Sequence, residues 1–289
     1  MAKKYRRVTL SRSTGGTVAI FVFLALVGCF MVLPIVYVLV TAFKPLNEIL
    51  AYPPKFFVRS PTLNNFSDLI EITQETWIPF ERSLFNSMFI AICGTVAYIM
   101  IASMAAYPLA KGKSRYIAIY YQVVVLAILF RPEVTRTPLY IIISKLGMVN
   151  TYWSLLMPTL AGSFGVFLMR QFMMTIPDVM IEAARIDGAT PAQTLFQVKI
   201  PNVMPSITIC MFLTLTNSFK LFDQNLALTG GDPNHATEML ALNIYNNFYA
   251  RSGAAWKGIG QAKAVVFCIM VIAISMIQLS VTRSKEVQQ

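Results

Sequence analysis

The sequence predicts an all-α integral membrane protein with six spanning helices, and three observations carry that expectation. Of 289 residues, 56% are hydrophobic and only 13% charged, with a mean hydropathy of +0.61; an ordinary globular domain carries about 25% charged residues. Charges cut the chain into uncharged stretches at 13–43, 83–110, 116–130, 146–169, 200–219 and 264–282, and a spanning helix needs about 20 apolar residues. Both ends are basic, with Lys3, Lys4, Arg6, Arg7 and Arg12 at one and Arg283 and Lys285 against Glu286 at the other. Basic flanks favour the cytoplasmic side, so both termini are expected there and the number of spans is even.

Residues 1–17 form the basic N-terminus, and residues 18–289 the transmembrane domain. The formal net charge of +11 sets topology and meets lipid headgroups here, rather than nucleic acid. The first apolar stretch exceeds the roughly 7–15 residues of a signal-peptide core and reads as a retained anchor helix kinked at Pro34. Residues 44–82 make a Pro-rich loop (Pro45, Pro53, Pro54, Pro61, Pro79) with Glu48, Asp68, Glu71, Glu75 and Glu81. We expect it outside the cytoplasm, folded into short helices. The third stretch has 15 residues and covers roughly 22 Å of a 30 Å hydrocarbon core. It runs into Arg131-Pro132-Glu133-Val134-Thr135-Arg136-Thr137-Pro138, followed by a second apolar run from Leu139 to Ser144. Six spans place Lys111, Lys113 and Arg115 inside, so the inside segments hold 13 Lys+Arg against 4 acidic residues. Five spans would put one basic terminus outside.

Cys29, Cys93, Cys210 and Cys268 each lie in an apolar run and share no short spacing, as small fillers of helix interfaces do. With a single histidine, His235, in a Gly/Pro/Asn loop, zinc chemistry lacks ligands. No metal site and no catalytic residue is expected.

A loop at 173–204 carries the most information. Pro177 suits a first helical turn and Asp178 a cap. Glu182-Ala183-Ala184-Arg185 is strong helix-forming sequence, and Gly188 suits the residue just past the helix end. The expected result is a helix of about two turns and a sharp turn, its low-profile alanines open to close approach by another protein.

Glu182-Ala183-Ala184, three residues, Gly188, nine residues, then Val198, Lys199, Ile200 and Pro201 resembles the EAA loop of ABC importer permeases. Val198 and Ile200 stand where that pattern has Ile and Leu. The resemblance extends over nearly the whole chain, to the carbohydrate-type permeases for maltose-like sugars and glycerol phosphate. It includes Phe43-Lys44-Pro45, Pro138-Leu139-Tyr140, Lys145 to Thr151, Gln171-Phe172, Phe222-Asp223-Gln224 and Leu228 to Gly231. It implies a six-helix core of the type I importer kind in the bacterial or archaeal inner membrane. The implied partners are a second, different permease, two ATP-binding subunits and an extracytoplasmic solute-binding protein, all around a lipid bilayer. Glu182, Ala183, Ala184, Asp187, Gly188 and Pro201 would couple to the ATPase. No Walker A sequence occurs in the chain, so ATP and Mg belong to the ATPase partners; the chain is not an enzyme and holds no cofactor.

Charges at membrane depth face a cavity or a partner rather than lipid. Arg131, Glu133 and Arg136 either line a polar path, where two arginines invite a carboxylate or phosphate, or form a Glu133–Arg pair at the outer interface. Asn217, Lys220, Asp223 and Gln224, about a turn apart on a helix, would meet sugar hydroxyls or bridge to the partner. The expected function is import of a saccharide or sugar-like solute. An acidic solute is the alternative, such as an acidic oligosaccharide. A stand-alone secondary transporter ranks below both, because no two halves look alike.

Overall fold

The computed structural model describes residues 14–75 and 80–286. The basic cluster from Lys3 to Arg12 lies outside the described residues. Among those described, the secondary structure is helical with no strand. α1 (Thr14–Ala42) runs unbroken through Pro34 and is apolar on every side. The connection that follows contains two short helices, α2 (Leu46–Ile49) and α3 (Asn64–Glu75), as expected of a folded loop. It ends sooner than expected, because α4 (Phe80–Lys111) already includes residues 80–82.

α4 is the central element. Its buried Ala91, Gly94, Thr95, Ala102 and Ala106 form a stripe of small residues that lets other helix backbones approach closely, as apolar helix pairs in membranes require. Tyr98, Ala102 and Ala106 pack with Met169, Met173, Val203 and Cys210. Further along, Ala91 packs with Leu215 and Phe219, and Ile90 with Leu155 and Met239.

α5 (Arg115–Leu129) and α6 (Pro132–Lys145) form a pair bent by 112°. The break is local chemistry. A residue before proline is driven out of helical geometry, and Arg131 sits at φ −73°, ψ 143° with Pro132 opening the next helix. The fourth span is also in two pieces, α7 (Tyr152–Leu160) and α8 (Ser163–Thr175). No charge marks that break; Pro158 in the last turn of α7 and Gly162 at the start of α8 are its local signals. The Tyr98 hydroxyl fills it, donating to the Gly162 carbonyl at 2.9 Å and accepting from the Gly165 N–H at 2.8 Å. Broken backbone at membrane depth is viable where protein satisfies it in this way.

Next come α9 (Asp178–Ile186), the single turn α10 (Pro191–Gln193), a π-helical turn (Thr194–Lys199) and α11 (Ile200–Phe219). The loop expected at 173–204 is therefore shorter, spanning 176–199 between α8 and α11. α12 (Phe222–Leu228), α13 (Leu240–Tyr249) and α14 (Ala255–Arg283) complete the chain. α14 starts well before the uncharged stretch at 264 and carries Lys257 and Lys263. Among the described residues, five segments are long and apolar enough to cross a bilayer, and the bent α5–α6 pair makes six when counted as one span.

Candidate functional site

α9 is a knob at one end of the bundle. Its start differs by one residue from expectation: Pro177 takes the cap position, extended at φ −64°, ψ 135°, and Asp178 falls in the first turn without capping. Asp178 instead pairs with Lys111 at 2.7 Å. That hydrogen bond, then the Lys111 charge and more weakly that of Lys113, hold the Asp178 carboxyl below its ordinary value. The end of α9 follows expectation. Gly188 has φ +80°, its N–H donates to the Arg185 carbonyl at 3.1 Å, and the Ala189 N–H donates to the Ala184 carbonyl at 2.9 Å. These two bonds define a Schellman turn, which glycine enters at least cost.

Glu182, Ala183, Asp187 and Gly188 are exposed and Ala184 is half-buried, so the structure brings these five together on one knob. Val179 and Ile186, 73% and 85% exposed, share a face with Ala183 at spacings of four and three. Pro201 is not on the knob; it sits half-buried in the first turn of α11. A capping box in which Thr190 and Gln193 bond reciprocally opens the return limb.

The path candidates regroup. Arg131 and Glu133 lie 3.6 Å apart, mostly exposed. Arg136 pairs with Asp223 at 2.7 Å, which joins α6 to α12 across two groups that are separate in the sequence. The continuous helix expected through Asn217, Lys220, Asp223 and Gln224 is absent. α11 stops at Phe219, because the N–H groups of Lys220 and Leu221 bond three residues back to Asn217 and Ser218, tightening the last turn. Helical spacing therefore does not relate Asn217 to Gln224. Asn217 and Lys220 are exposed, and the Gln224 Oε1 is buried without a partner.

Comparison with known proteins now bears on the knob and the spans. Residues 17–284 match the family described as binding-protein-dependent transport system inner membrane component. The chain belongs to this family. By that description it is a membrane component of a transport system. It is 40% identical over 146 residues to a probable starch degradation products permease, AmyD, of Thermoanaerobacterium thermosulfurigenes, covering 50% of this chain and about half (49%) of that relative. It is 30% identical over 209 residues to the arabinooligosaccharides permease AraQ of Halalkalibacterium halodurans, covering 70% and 71% of the two chains. A bacterial ABC transporter that imports the acidic polysaccharide alginate has the same fold, with a TM-score of 0.76, 18% identity, and 93% and 98% coverage.

The chain also holds a buried polar seam that sequence reasoning missed. Lys263 of α14 is fully buried and donates to Asn243 Oδ1 of α13 at 2.7 Å. Glu238 is fully buried as well, accepting from Asn246 Nδ2 at 2.9 Å, with His235 Nδ1 2.7 Å from its other oxygen. Burial lowers Arg251 from its ordinary value, and Glu238 opposes that shift. The buried Asn86 donates to the carbonyls of Ala236 and Glu238 at 2.8 and 3.0 Å. Lys263 looks like a span boundary in the sequence, because a single charge beside an apolar run ordinarily marks an end. Among the described residues, no group of three His, Cys, Asp or Glu side chains is placed to hold a metal ion.

Proposed function

We propose that the chain is the membrane permease of an ATP-driven importer for saccharides, delivered by an extracytoplasmic binding protein. The observation that carries this is the α9 knob, with its Schellman end at Gly188 and bare Val179 and Ile186, on a chain of the binding-protein-dependent family. Glu182, Ala183, Ala184, Asp187 and Gly188 dock into an ATP-binding subunit, and Pro201 opens the helix on the return side of that loop. Two such subunits carry ATP and Mg. A second, different permease completes the path. Residues 1–17, the 176–199 loop and both termini face the cytoplasm, and the 44–79 connection faces the other side of the inner membrane. The saccharide class follows the permeases for starch degradation products and arabinooligosaccharides named above.

Arg136 is already paired by Asp223, which favours an uncharged sugar over an acidic one. Arg131 remains a path candidate, since Glu133 stands 3.6 Å away and both are well exposed. Arg131→Ala is expected to change uptake affinity by about tenfold, the scale of one charge-assisted hydrogen bond. Unchanged KM and kcat for uptake would return it to the surface. A mild-detergent pull-down of tagged chain, read by mass spectrometry, tests the assembly. Recovery of a second permease and an ATP-binding subunit is expected; a chain that purifies alone, under conditions that preserve comparable complexes, refutes the reading.

A further inference from the structure

Both limbs of the 176–199 segment are tied to the last turn of α4. On the entry limb, the Lys111 ammonium donates to the Ile176 carbonyl at 2.6 Å and to Asp178 Oδ1 at 2.7 Å. On the return limb, the Lys199 ammonium donates to the Tyr107 hydroxyl at 2.8 Å and lies 4.4 Å from the centre of its ring. Tyr107 and Lys111 are four residues apart and so share a face of α4. Pro108 falls between them. The turn it interrupts is braced by a Gly112 N–H to Pro108 carbonyl bond at 2.9 Å and by Arg170 Nε on the Leu109 carbonyl at 3.0 Å.

The far end of α4 has a second grip. Asn86 holds the carbonyls of Ala236 and Glu238, and the Ser87 hydroxyl accepts the Leu240 N–H at 2.8 Å. Tyr152 donates to Asn86 Oδ1 at 2.7 Å and fixes its orientation. Residues 86 to 111 rise about 37 Å at ~1.5 Å each, so the two grips stand at opposite ends of the bundle. The alternative routes contain joints. The entry limb leads into α8, which is parted from α7 at Ala161–Gly162, and the return limb passes through the π-helical turn and Pro205. Such features are where helices yield.

We propose that α4 is the lever of the importer: its last turn, through Tyr107 and Lys111, clamps both limbs of the coupling segment, and its other end carries the 229–240 loop. A displacement of α9 then reaches the opposite end of the bundle through one continuous helix, whose single proline, Pro108, lies inside the clamped and braced turn. Tyr107 and Lys111 are positioning residues. This rests on the importer reading above.

The test places a reporter cysteine at Asp232→Cys, in the loop held by Asn86, on a chain whose four native cysteines are replaced by alanine. The whole complex is purified, returned to phospholipid vesicles, and labelled with a maleimide with and without Mg-ATP and vanadate. Nucleotide is expected to change the labelling rate about fivefold or more, the lower range of ordinary allosteric coupling. Lys111→Met/Tyr107→Phe should remove that change while ATP hydrolysis continues on the partner, and Lys111→Arg should keep it. A nucleotide response retained in the double variant, or lost in Lys111→Arg, overturns the lever alone. A parent complex that hydrolyses ATP while its labelling ignores nucleotide also overturns the lever alone; a chain that recovers no ATP-binding subunit overturns the importer reading and the lever with it.

Discussion

Gly188→Asp is expected to abolish solute uptake while leaving the chain inserted at normal levels in the membrane. A Cβ at Gly188 would meet nothing within 4 Å, so sterics play no part in the effect. The backbone does, because φ is +80° and a side-chain-bearing residue in the left-handed region costs at most about 1–2 kcal/mol, aspartate falling at the low end. A carboxylate at the C-terminus of α9 opposes the helix dipole by a further ~0.3–1 kcal/mol. A nine-residue helix has little intrinsic stability to set against that. Gly188→Asn is the control, since asparagine visits the left-handed region as aspartate does and carries no charge; it should retain uptake. Uptake assays with immunoblotting of membranes check both variants, and normal uptake by the aspartate variant would remove Gly188 from the coupling role.

Gly165→Ala is expected to have the largest effect on stability. Its Cβ would lie 2.2 Å from the Tyr98 hydroxyl and 2.8 Å from the ring carbon that bears it. Tyr98 cannot yield freely, being 5% exposed and bonded to both sides of the α7–α8 break. Overpacking costs about 1–3 kcal/mol, and each buried backbone group left without its partner about 1–3 more. The sum is comparable with the whole stability of a marginal protein. Tyr98→Phe removes the hydroxyl without a clash and should cost less. Because the two sites touch, the double variant should fall short of additivity. Heating detergent-solubilised protein and following the monodisperse fraction by size exclusion checks the order. An unchanged midpoint for Gly165→Ala would mean that the hydroxyl does not hold the break.

Legibility in the sequence followed the range of the signal. Charges mark span ends, so the gaps between them located the spans and the interruption at Arg131–Pro132. The same logic misplaced the start of α14, because Lys263 is buried against Asn243 rather than marking a boundary. The α7–α8 break carries no charge, so a reading by charge gaps passed over Pro158 and Gly162; the hydroxyl that satisfies it, Tyr98, is more than sixty positions earlier. The α9 knob was readable because its stop is local, a glycine at the turn. Its start was only approximately so, since Asp178 answers to Lys111 rather than to its own helix. The residues that hold the knob to α4 stand 65 to 92 positions from their partners, beyond any local pattern. Arg136 and Asp223, 87 positions apart, were both named as path candidates, and only the fold paired them.

The bare aliphatic side chains of α9 bear on how a cell must manage this chain. Val179 and Ile186 stand outside the spanning segments and uncovered, and sheltering each from water is worth about 1.5–3 kcal/mol. On the proposed docking role, copies in excess of the ATP-binding subunit would keep that tip bare, and the steady-state level of the chain would follow the supply of the subunit that covers these two side chains.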